Sequence, residues 1–217
     1  TTPPRLFAAL RYPAAADDPG LWLVAAAALL VVAASLTVLL SATEIRDGLT
    51  AIGVLAFATP YFALPPVGLY RLQAADPWLV VALLAMVWLG DTAAYYVGRS
   101  LGRRRLAPAT SPNKTWEGAA ASLLAGIAAA AVWSLARLGE VPAGWLLVAA
   151  ATCVAAQLGD LVESLVKRGA GVKDSSNVLP GHGGFYDRLD AMMLSTPVFL
   201  IGVWILGLES LAAVGSP

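Results

Sequence analysis

The sequence predicts an all-α, polytopic membrane protein, and two observations carry this prediction. First, hydrophobic residues make up 59% of the 217 residues and charged residues only 13%, with a mean hydropathy of +0.73. An average soluble domain is about one quarter charged. Second, the apolar residues are grouped into segments of about 20 residues, the length that crosses a bilayer as a helix. Because the backbone in lipid must satisfy its own hydrogen bonds, these segments are expected to be helices.

Six segments have this length, and short polar connections separate them. They cover residues 21–42, 49–70, 77–97, 116–138, 143–168 and 187–208. Pro60, Pro65 and Pro66 predict kinks in the second segment, because proline removes a helix hydrogen bond. Gly118, Ser122 and Gly126 recur at every fourth position of the fourth segment. This spacing of small residues predicts a close helix–helix contact.

Other features limit the domain organisation and the class of function. Residues 1–20 are predicted to form a separate N-terminal segment, and residues 21–217 a single integral-membrane domain. The chain begins Thr-Thr-Pro-Pro without a methionine or a signal-peptide pattern, so we expect it to be truncated there. Cys153 is the only cysteine, which leaves no disulfide within one chain. The formal net charge is zero, which gives no general attraction to nucleic acid.

The cations are concentrated in alternate connections between the apolar segments. Ten of the fourteen lie there: Arg46, Arg99, Arg103, Arg104, Arg105, Lys114, Lys167, Arg168, Lys173 and Arg188. Alternate connections lie on the same side of a membrane, and the side rich in Lys and Arg is usually cytoplasmic. The sequence therefore predicts that both long basic connections face the cytoplasm.

Four aspartates lie at the segment ends nearest these basic connections. Asp91 is near the end of the third segment, and Asp160 is about two turns before the end of the fifth. Asp187 and Asp190 are three residues apart at the start of the sixth, so we expect them to share a helix face. Helical periodicity also places Gln157, Asp160, Ser164 and Lys167 on one stripe. Carboxylates that converge at a membrane surface form a hard-oxygen site suited to Mg²⁺.

Simpler interpretations of these aspartates remain open. Asp187 and Asp190 are acids at a helix start, which the helix macrodipole favours without any metal. Asp91 or Asp160 can pair with an arginine for structure alone. Ionisable side chains within membrane segments are nevertheless costly and are functional by default, so the metal hypothesis is preferred.

Two further stretches predict anion binding. In Ser111-Pro-Asn-Lys-Thr-Trp-Glu-Gly118, Thr115 is a plausible N-cap of the fourth helix. A helix N-terminus beside Lys114 is suited to a phosphate, although a plain capped helix start is the alternative. The second stretch is His182 with Gly181, Gly183 and Gly184, where glycine permits close approach of the backbone to a ligand. His182 can bind a phosphate, form a loop hydrogen bond or transfer a proton, and we favour phosphate contact.

The longest motif runs from Ser164 to Asp190. It reads S-x-apolar-K-R, four residues, K-D, and then P-x-H-G-G-x-x-D-R-x-D. It resembles the signature of the phosphatidate cytidylyltransferases (CDP-diacylglycerol synthases), and every fixed position is filled. Residues 157–164 resemble the family's Q-x-G-D-x-x-E-S, residues 111–118 its S-P-x-K-T-x-E-G, and residues 91–99 its D-x-x-A-Y-x-x-G-R. The resemblance covers about residues 49–208.

The resemblance implies transfer of CMP from CTP to phosphatidic acid, giving CDP-diacylglycerol and pyrophosphate for phospholipid synthesis. It implies catalytic roles for Asp160, Lys167, Arg168, Lys173, Asp187 and Arg188. The predicted metal ligands are Asp91, Asp160, Asp187 and Asp190. The predicted substrate-binding residues are Ser111, Asn113, Lys114, Thr115, Ser164, His182, Gly183 and Gly184.

The resemblance also implies a setting for this reaction. Mg²⁺ is the expected cofactor, and a second, monovalent cation such as K⁺ is possible in the family. Family members form homodimers, for which the small-residue fourth helix is a candidate contact, and they usually carry further N-terminal helices. The expected location is a bacterial plasma membrane, with the active site on its cytoplasmic face.

Other classes of function share some of these features. A related CTP-dependent enzyme can act on another membrane lipid, and a transporter or channel also places carboxylates within a membrane. The basic residues can be ordinary cytoplasmic loop residues. The sequence contains no Walker A or G-x-G-x-x-G pattern and no D-G-x-x-A-R motif of CDP-alcohol phosphotransferases.

Overall fold

The computed structural model describes residues 19–41, 45–172, 175–176, 184 and 186–206. Within these residues, six long helices make up nearly all of the regular structure. They are α1 (Pro19–Ser41), α2 (Ile45–Ala75), α3 (Pro77–Leu101), α4 (Trp116–Leu138), α5 (Ala143–Gly169) and α6 (Asp190–Ile205). The all-α, polytopic fold predicted from the sequence is confirmed.

Four helices in the described part of the chain are long and apolar enough to cross a membrane. They are Gly48–Ala75, Pro77–Leu101, Trp116–Leu138 and Ala143–Gly169, and the apolar stretches Ala28–Leu40 and Asp190–Ile205 are shorter. The predicted sixth segment was too long at its start, because Asp187 belongs to a separate 3₁₀ turn, Tyr186–Arg188. The 16 residues of α6 extend only about 24 Å.

The second helix tolerates the three prolines that were expected to kink it. α2 has 31 residues, and Pro60, Pro65 and Pro66 all lie inside it. Its side chain Tyr61 is buried and donates a hydrogen bond to the carbonyl oxygen of Gly159 in α5, at 3.4 Å. α2 packs closely against α6, where a Cβ placed on Gly68 would lie 2.8 Å from Thr196 Cγ2. Tyr61 is its hydrogen-bonded contact with α5, near the polar residues of that helix.

The connection between α3 and α4 contains a hairpin that the sequence analysis did not predict. Strand β1 (Arg105–Ala107) pairs antiparallel with β2 (Ser111–Thr115). The Glu117 carboxylate accepts hydrogen bonds from the backbone N–H groups of Arg103 and Arg104, at 3.1 and 3.3 Å. Thr115 Oγ1 accepts a hydrogen bond from Gly118 N at 3.1 Å, which confirms the predicted N-cap. The hairpin is thus fixed to the first turn of α4.

The small residues of α4 form the close contact predicted for them, and its partner is α3 of the same chain. Gly118, Ser122 and Gly126 are all buried. A Cβ placed on Gly90 of α3 would lie 2.9 Å from Ser122 Oγ, and one placed on Gly126 would lie 3.2 Å from the carbonyl oxygen of Met86. Within one chain α3 covers this stripe, so the stripe itself is not free for a second subunit. A homodimer contact through another face of α4 stays a prediction.

An aromatic core holds the other end of these helices together. Trp145 of α5 is fully buried, stacks on Trp133 of α4 and meets Phe199 of α6 edge-on. Its indole Nε1–H donates to the carbonyl oxygen of Ala130 at 2.8 Å, which satisfies the buried donor. This packing orients α4, α5 and α6 and so fixes the polar ends of α5 and α6.

Candidate active site

A cleft of about 800 Å³ lies between α3, the hairpin, α4, α5 and the start of α6. Its polar lining contains residues from all four motifs. The middle of the Ser164–Asp190 motif lies outside the described residues. The lining residues include Asp91, Arg99, Arg105, Asn113, Lys114, Thr115, Gln157, Asp160, Asp187 and Asp190. The hairpin side supplies mainly cations and the α5–α6 side mainly carboxylates. Segments that are distant in the sequence are therefore parts of one site.

Three carboxylates form a compact cluster at this cleft, of which Asp160 and Asp190 line the cleft and Glu163 is buried next to them. One ligand oxygen each from Asp160, Glu163 and Asp190 lies within 4.8 Å of the others. Asp160 and Glu163 are one turn apart on α5, and Asp190 is the first residue of α6. Glu163 is only 1% exposed, and its Oε1 has no hydrogen-bond partner among the described residues. A buried, unpartnered carboxylate oxygen beside two more carboxylates fits a divalent cation.

Close approach of α5 and α6 creates this cluster, and a glycine permits it. A Cβ placed on Gly159 would lie 2.7 Å from the carbonyl oxygen of Asp190. This is shorter than a van der Waals contact, so any larger residue would push the two helices apart. Since Asp160 follows Gly159 directly, the distance between Asp160 and Asp190 depends on this contact.

We therefore expect Gly159→Ala to weaken metal binding at the cluster while it leaves the membrane helices folded. Overpacking of this kind typically costs about 1–3 kcal/mol. Divalent-metal affinity and thermal unfolding of the purified variant, measured in the same detergent, check this expectation. Gly53→Ala is a matched control, because a Cβ at Gly53 meets no atom within 4 Å. Unchanged metal affinity in Gly159→Ala would contradict the role given to this contact.

Lys167 links the cluster to the loop before α6. Its Nζ lies 2.6 Å from Glu163 Oε2 and 2.8 Å from Asp187 Oδ1. Asp187 Oδ2 also accepts hydrogen bonds from Gly184 N at 2.6 Å and from Ser175 N and Oγ at 3.1 and 3.0 Å. Burial alone would raise the pKa of Asp187, but these hydrogen bonds, above all that from Lys167, hold it well below its usual value. Asp187 is therefore ionised at neutral pH.

Asp187 and Asp190 both line the cleft, but their carboxylates have different contacts. Asp187 precedes α6 in the 3₁₀ turn, and its oxygens are engaged by Lys167, Ser175 and Gly184. Asp190 is the first residue of α6, accepts a hydrogen bond from Ala191 N at 2.6 Å and joins the carboxylate cluster. The two residues do not share a helix face as expected, because the 3₁₀ turn separates them. A metal role for Asp187 stays a prediction.

The hairpin contributes one cation directly to the cluster. Lys114 of β2 forms an ion pair with Asp160, and both side chains are partly buried. Nearby, Gln157 Nε2 donates a hydrogen bond to the carbonyl oxygen of Ala119 at 3.1 Å, which joins α5 to α4. Of the predicted stripe on α5, Gln157 and Asp160 line the cleft and Lys167 contacts Glu163 and Asp187, whereas Ser164 is not among the described lining residues.

The remaining predicted site residues lie in different places. Asp91, Asn113 and Thr115 line the cleft, and their metal-binding and substrate-binding roles stay predictions. Ser111 and Ser164 are half-buried and Arg168 is exposed on the last turn of α5, and these three are not among the lining residues that the structure describes. Lys173, His182, Gly183 and the side chain of Arg188 lie outside the described residues.

Sequence reasoning missed three residues of the site. Glu163 belongs to the Q-x-G-D-x-x-E-S segment and lies one helical turn after Asp160, so its spacing was the signal that it shares the face. Arg99 and Arg105 line the cleft, but they were attributed only to the cytoplasmic bias of loop cations. Nothing in the sequence showed that the hairpin folds back over α5.

The fold and the cleft together define a polytopic membrane protein with an acidic, metal-capable cluster opposed by cations at one end of its helices. Known proteins with similar sequences narrow this class to one family. The chain belongs to the cytidylyltransferase family, whose sequence model matches residues 3–206.

Individual relatives agree with this membership. The chain is 38% identical over 133 residues to the phosphatidate cytidylyltransferase of Haemophilus influenzae, which covers 57% of this chain and 46% of the relative. It is 41% identical over 148 residues to that of Brucella melitensis, covering 65% and 53% respectively. It is 45% identical over 113 residues to the phosphatidate cytidylyltransferase of Bacillus subtilis, which covers 52% of this chain and 42% of the relative. The chain thus spans about half the length of these relatives.

Proposed function

We propose that residues 21–217 form a membrane cytidylyltransferase domain that transfers CMP from CTP to phosphatidic acid, giving CDP-diacylglycerol and pyrophosphate. The observation that carries the proposal is the cleft itself. It places the Asp160–Glu163–Asp190 cluster opposite the cations Arg99, Arg105 and Lys114, which is what a triphosphate with its metal requires. The relatives named as phosphatidate cytidylyltransferases support the choice of substrates.

The reaction needs little covalent chemistry from the protein. A phosphate oxygen of phosphatidic acid forms a bond to the α-phosphorus of CTP, and the bond from that phosphorus to the bridging oxygen breaks. Pyrophosphate then leaves with the electron pair. Since the second pKa of a phosphomonoester is about 6, the attacking oxygen is largely ionised at neutral pH and needs no general base. Catalysis therefore rests on positioning and electrostatic stabilisation.

The carboxylate cluster is suited to hold the metal in this reaction. Asp160, Glu163 and Asp190 would supply the ligand oxygens, with Asp91 across the cleft. Mg²⁺ fits such a site, since it binds a few carboxylates together with substrate phosphates. When bound, it neutralises phosphate charge and stabilises the leaving pyrophosphate. A second, monovalent cation remains a prediction.

The cations of the cleft hold the phosphates in line. Arg99 and Arg105 can form paired hydrogen bonds to phosphate oxygens, and Lys114 supplies a point charge. Asn113 and Thr115, on the same strand, offer further polar contacts. Lys167 has a different task, because it keeps Glu163 and Asp187 fixed at the cleft.

The lipid substrate reaches this site from the bilayer. Trp88 and Tyr95 of α3 line the cleft and are more than half exposed. They give the cleft an apolar edge on the side of a membrane-spanning helix, where acyl chains can remain in lipid while the phosphate enters. We place this end of the helices at the cytoplasmic face of a bacterial plasma membrane, because the basic connections lie there. A homodimer would have to use a surface other than the small-residue stripe of α4.

The proposal is tested by measuring pyrophosphate release from CTP by the purified protein in detergent. Phosphatidic acid and Mg²⁺ should both be required, and Asp187→Asn should remove the activity because it frees Lys167 and the loop at Ser175 and Gly184. Turnover with a polyprenol phosphate or another lipid, but not with phosphatidic acid, would contradict the substrate. Folded protein without turnover on any acceptor would contradict the reaction class.

A further inference from the structure

One carboxylate of the cluster, Asp160, forms an ion pair with a lysine. Lys114 reaches from β2 to Asp160 on α5, and the side chains of the pair are 24% and 34% exposed. Both residues line the cleft. Asp160 is also one of the three carboxylates whose oxygens converge. The ammonium group of Lys114 therefore stands beside the position that a divalent cation would take.

The two cations cannot both be close to Asp160 at little cost. Like charges a few ångströms apart repel strongly in a partly buried site. The lysine side chain is flexible, with four methylene groups between the backbone and the charge, so its ammonium group can move without a change in the hairpin. The cleft lies next to it and offers the space.

Lys167, the other lysine of the site, is held differently. It contacts two carboxylates at once, and Glu163 is only 1% exposed. Asp187 is further fixed by Gly184 and Ser175. Lys167 therefore has no comparable freedom to leave. Among the described residues Lys114 forms an ion pair with Asp160 alone, and it borders the open cleft.

We propose that Lys114 is an exchangeable counter-ion. It neutralises Asp160 while no divalent cation is bound, and metal binding displaces its ammonium group into the cleft, where it contacts a phosphate of the nucleotide. The identity of that phosphate rests on the proposed function, but the displacement rests on the ion pair alone. Because each event favours the other, metal and nucleotide bind cooperatively through this side chain.

Metal binding without nucleotide tests the displacement. The affinity for Mn²⁺, which uses the same oxygen ligands as Mg²⁺, is measured by electron paramagnetic resonance of the free ion. We expect Lys114→Met to bind Mn²⁺ at least about threefold more tightly than the wild type, since a competing charge is removed. Arg103→Gln removes the same charge from an exposed position of the same connection and should stay within about twofold. Equal or weaker binding by Lys114→Met would overturn the proposal.

A second measurement uses the wild-type protein and so does not depend on whether a variant folds. The rate at which an amine-reactive acylating reagent modifies Lys114 is followed by mass spectrometry, with and without saturating Mn²⁺. Displacement predicts a several-fold faster modification of Lys114 with metal and no change at Lys167. Slower or unchanged modification of Lys114 would show that it stays on Asp160.

These measurements separate this proposal from the proposed reaction, because neither uses turnover. If both metal measurements give the expected results but no pyrophosphate is released, the displacement of Lys114 is supported and the proposed cytidylyltransferase reaction is contradicted. If turnover is normal but Lys114→Met does not tighten Mn²⁺ binding, the exchange alone fails. The nucleotide part is tested by adding CTP, which should strengthen Mn²⁺ binding by a larger factor in the wild type than in Lys114→Met, since only the coupling through Lys114 is removed.

Discussion

Asp160→Asn is expected to lower CTP-dependent pyrophosphate release about 100-fold or more, even at saturating Mg²⁺. Asp160 supplies an oxygen to the carboxylate cluster and is also the partner of Lys114. The amide is nearly the same size but carries no charge, so the fold should be retained while both functions are lost. Initial rates at several Mg²⁺ concentrations measure the effect, and Mn²⁺ affinity of the variant should fall with them.

Asp76→Asn is the matched control for this substitution. Asp76 caps α3 by accepting a hydrogen bond from Trp78 N at 2.9 Å and lies 3.6 Å from Arg137, away from the cleft. Asparagine is an equally good helix N-cap. Activity should therefore stay within about twofold of the wild type, since Asp76 lies away from the cleft and asparagine keeps the cap. A comparable loss in both variants would mean that the effect of Asp160→Asn is not local.

Lys167→Met should have the largest effect on stability. It leaves two carboxylates, the 1% exposed Glu163 and the 10% exposed Asp187, without their shared ammonium group. Removing one partner of a buried ion pair typically costs about 3–5 kcal/mol, because an uncompensated buried charge remains. We expect a loss of this size in the free energy of unfolding in detergent, and loss of turnover at temperatures where the variant is still folded.

A second substitution shows whether the buried charge is the cause. Glu163→Gln added to Lys167→Met removes one unpaired carboxylate, so it should recover part of the lost stability but none of the activity. Arg168→Gln, one residue further along and exposed, should change the free energy of unfolding by less than about 0.5 kcal/mol. If the double variant is less stable than Lys167→Met, the explanation through an uncompensated charge is wrong.

The fold was largely predictable because its determinants are local. A run of apolar residues long enough to cross a bilayer has to be helical wherever its neighbours lie. All six predicted segments accordingly contain a helix, and four of these helices are long and apolar enough to cross a membrane. The starts of α3 at Pro77 and of α4 at Trp116 were also predicted, since proline and an N-cap threonine mark them locally. The hairpin of β1 and β2 was missed, because strands of three and five residues show too little periodicity.

The site was predictable in its residue types but less so in its arrangement. The motifs indicated that Asp160, Asp190 and Lys114 belong to one chemistry, although they lie on α5, α6 and β2. The spacing of Glu163 one turn after Asp160 indicated a shared face, but only its burial beside Asp190 showed that it belongs to the cluster. The different contacts of Asp187 and Asp190 were also not predictable, since they depend on the 3₁₀ turn Tyr186–Arg188 that holds Asp187 outside α6.

The sequence by itself determined the class of protein, the helices, their basic side and the motifs that identify the family. Each of these depends on composition or on residues near one another in the chain. Only the tertiary structure decided that Glu163 joins Asp160 and Asp190, that Lys167 binds Glu163 and Asp187, and that α3 covers the small-residue stripe of α4. These facts depend on distances between separate helices. Such distances are set by packing at contacts such as Gly159 with Asp190, and no local pattern encodes them.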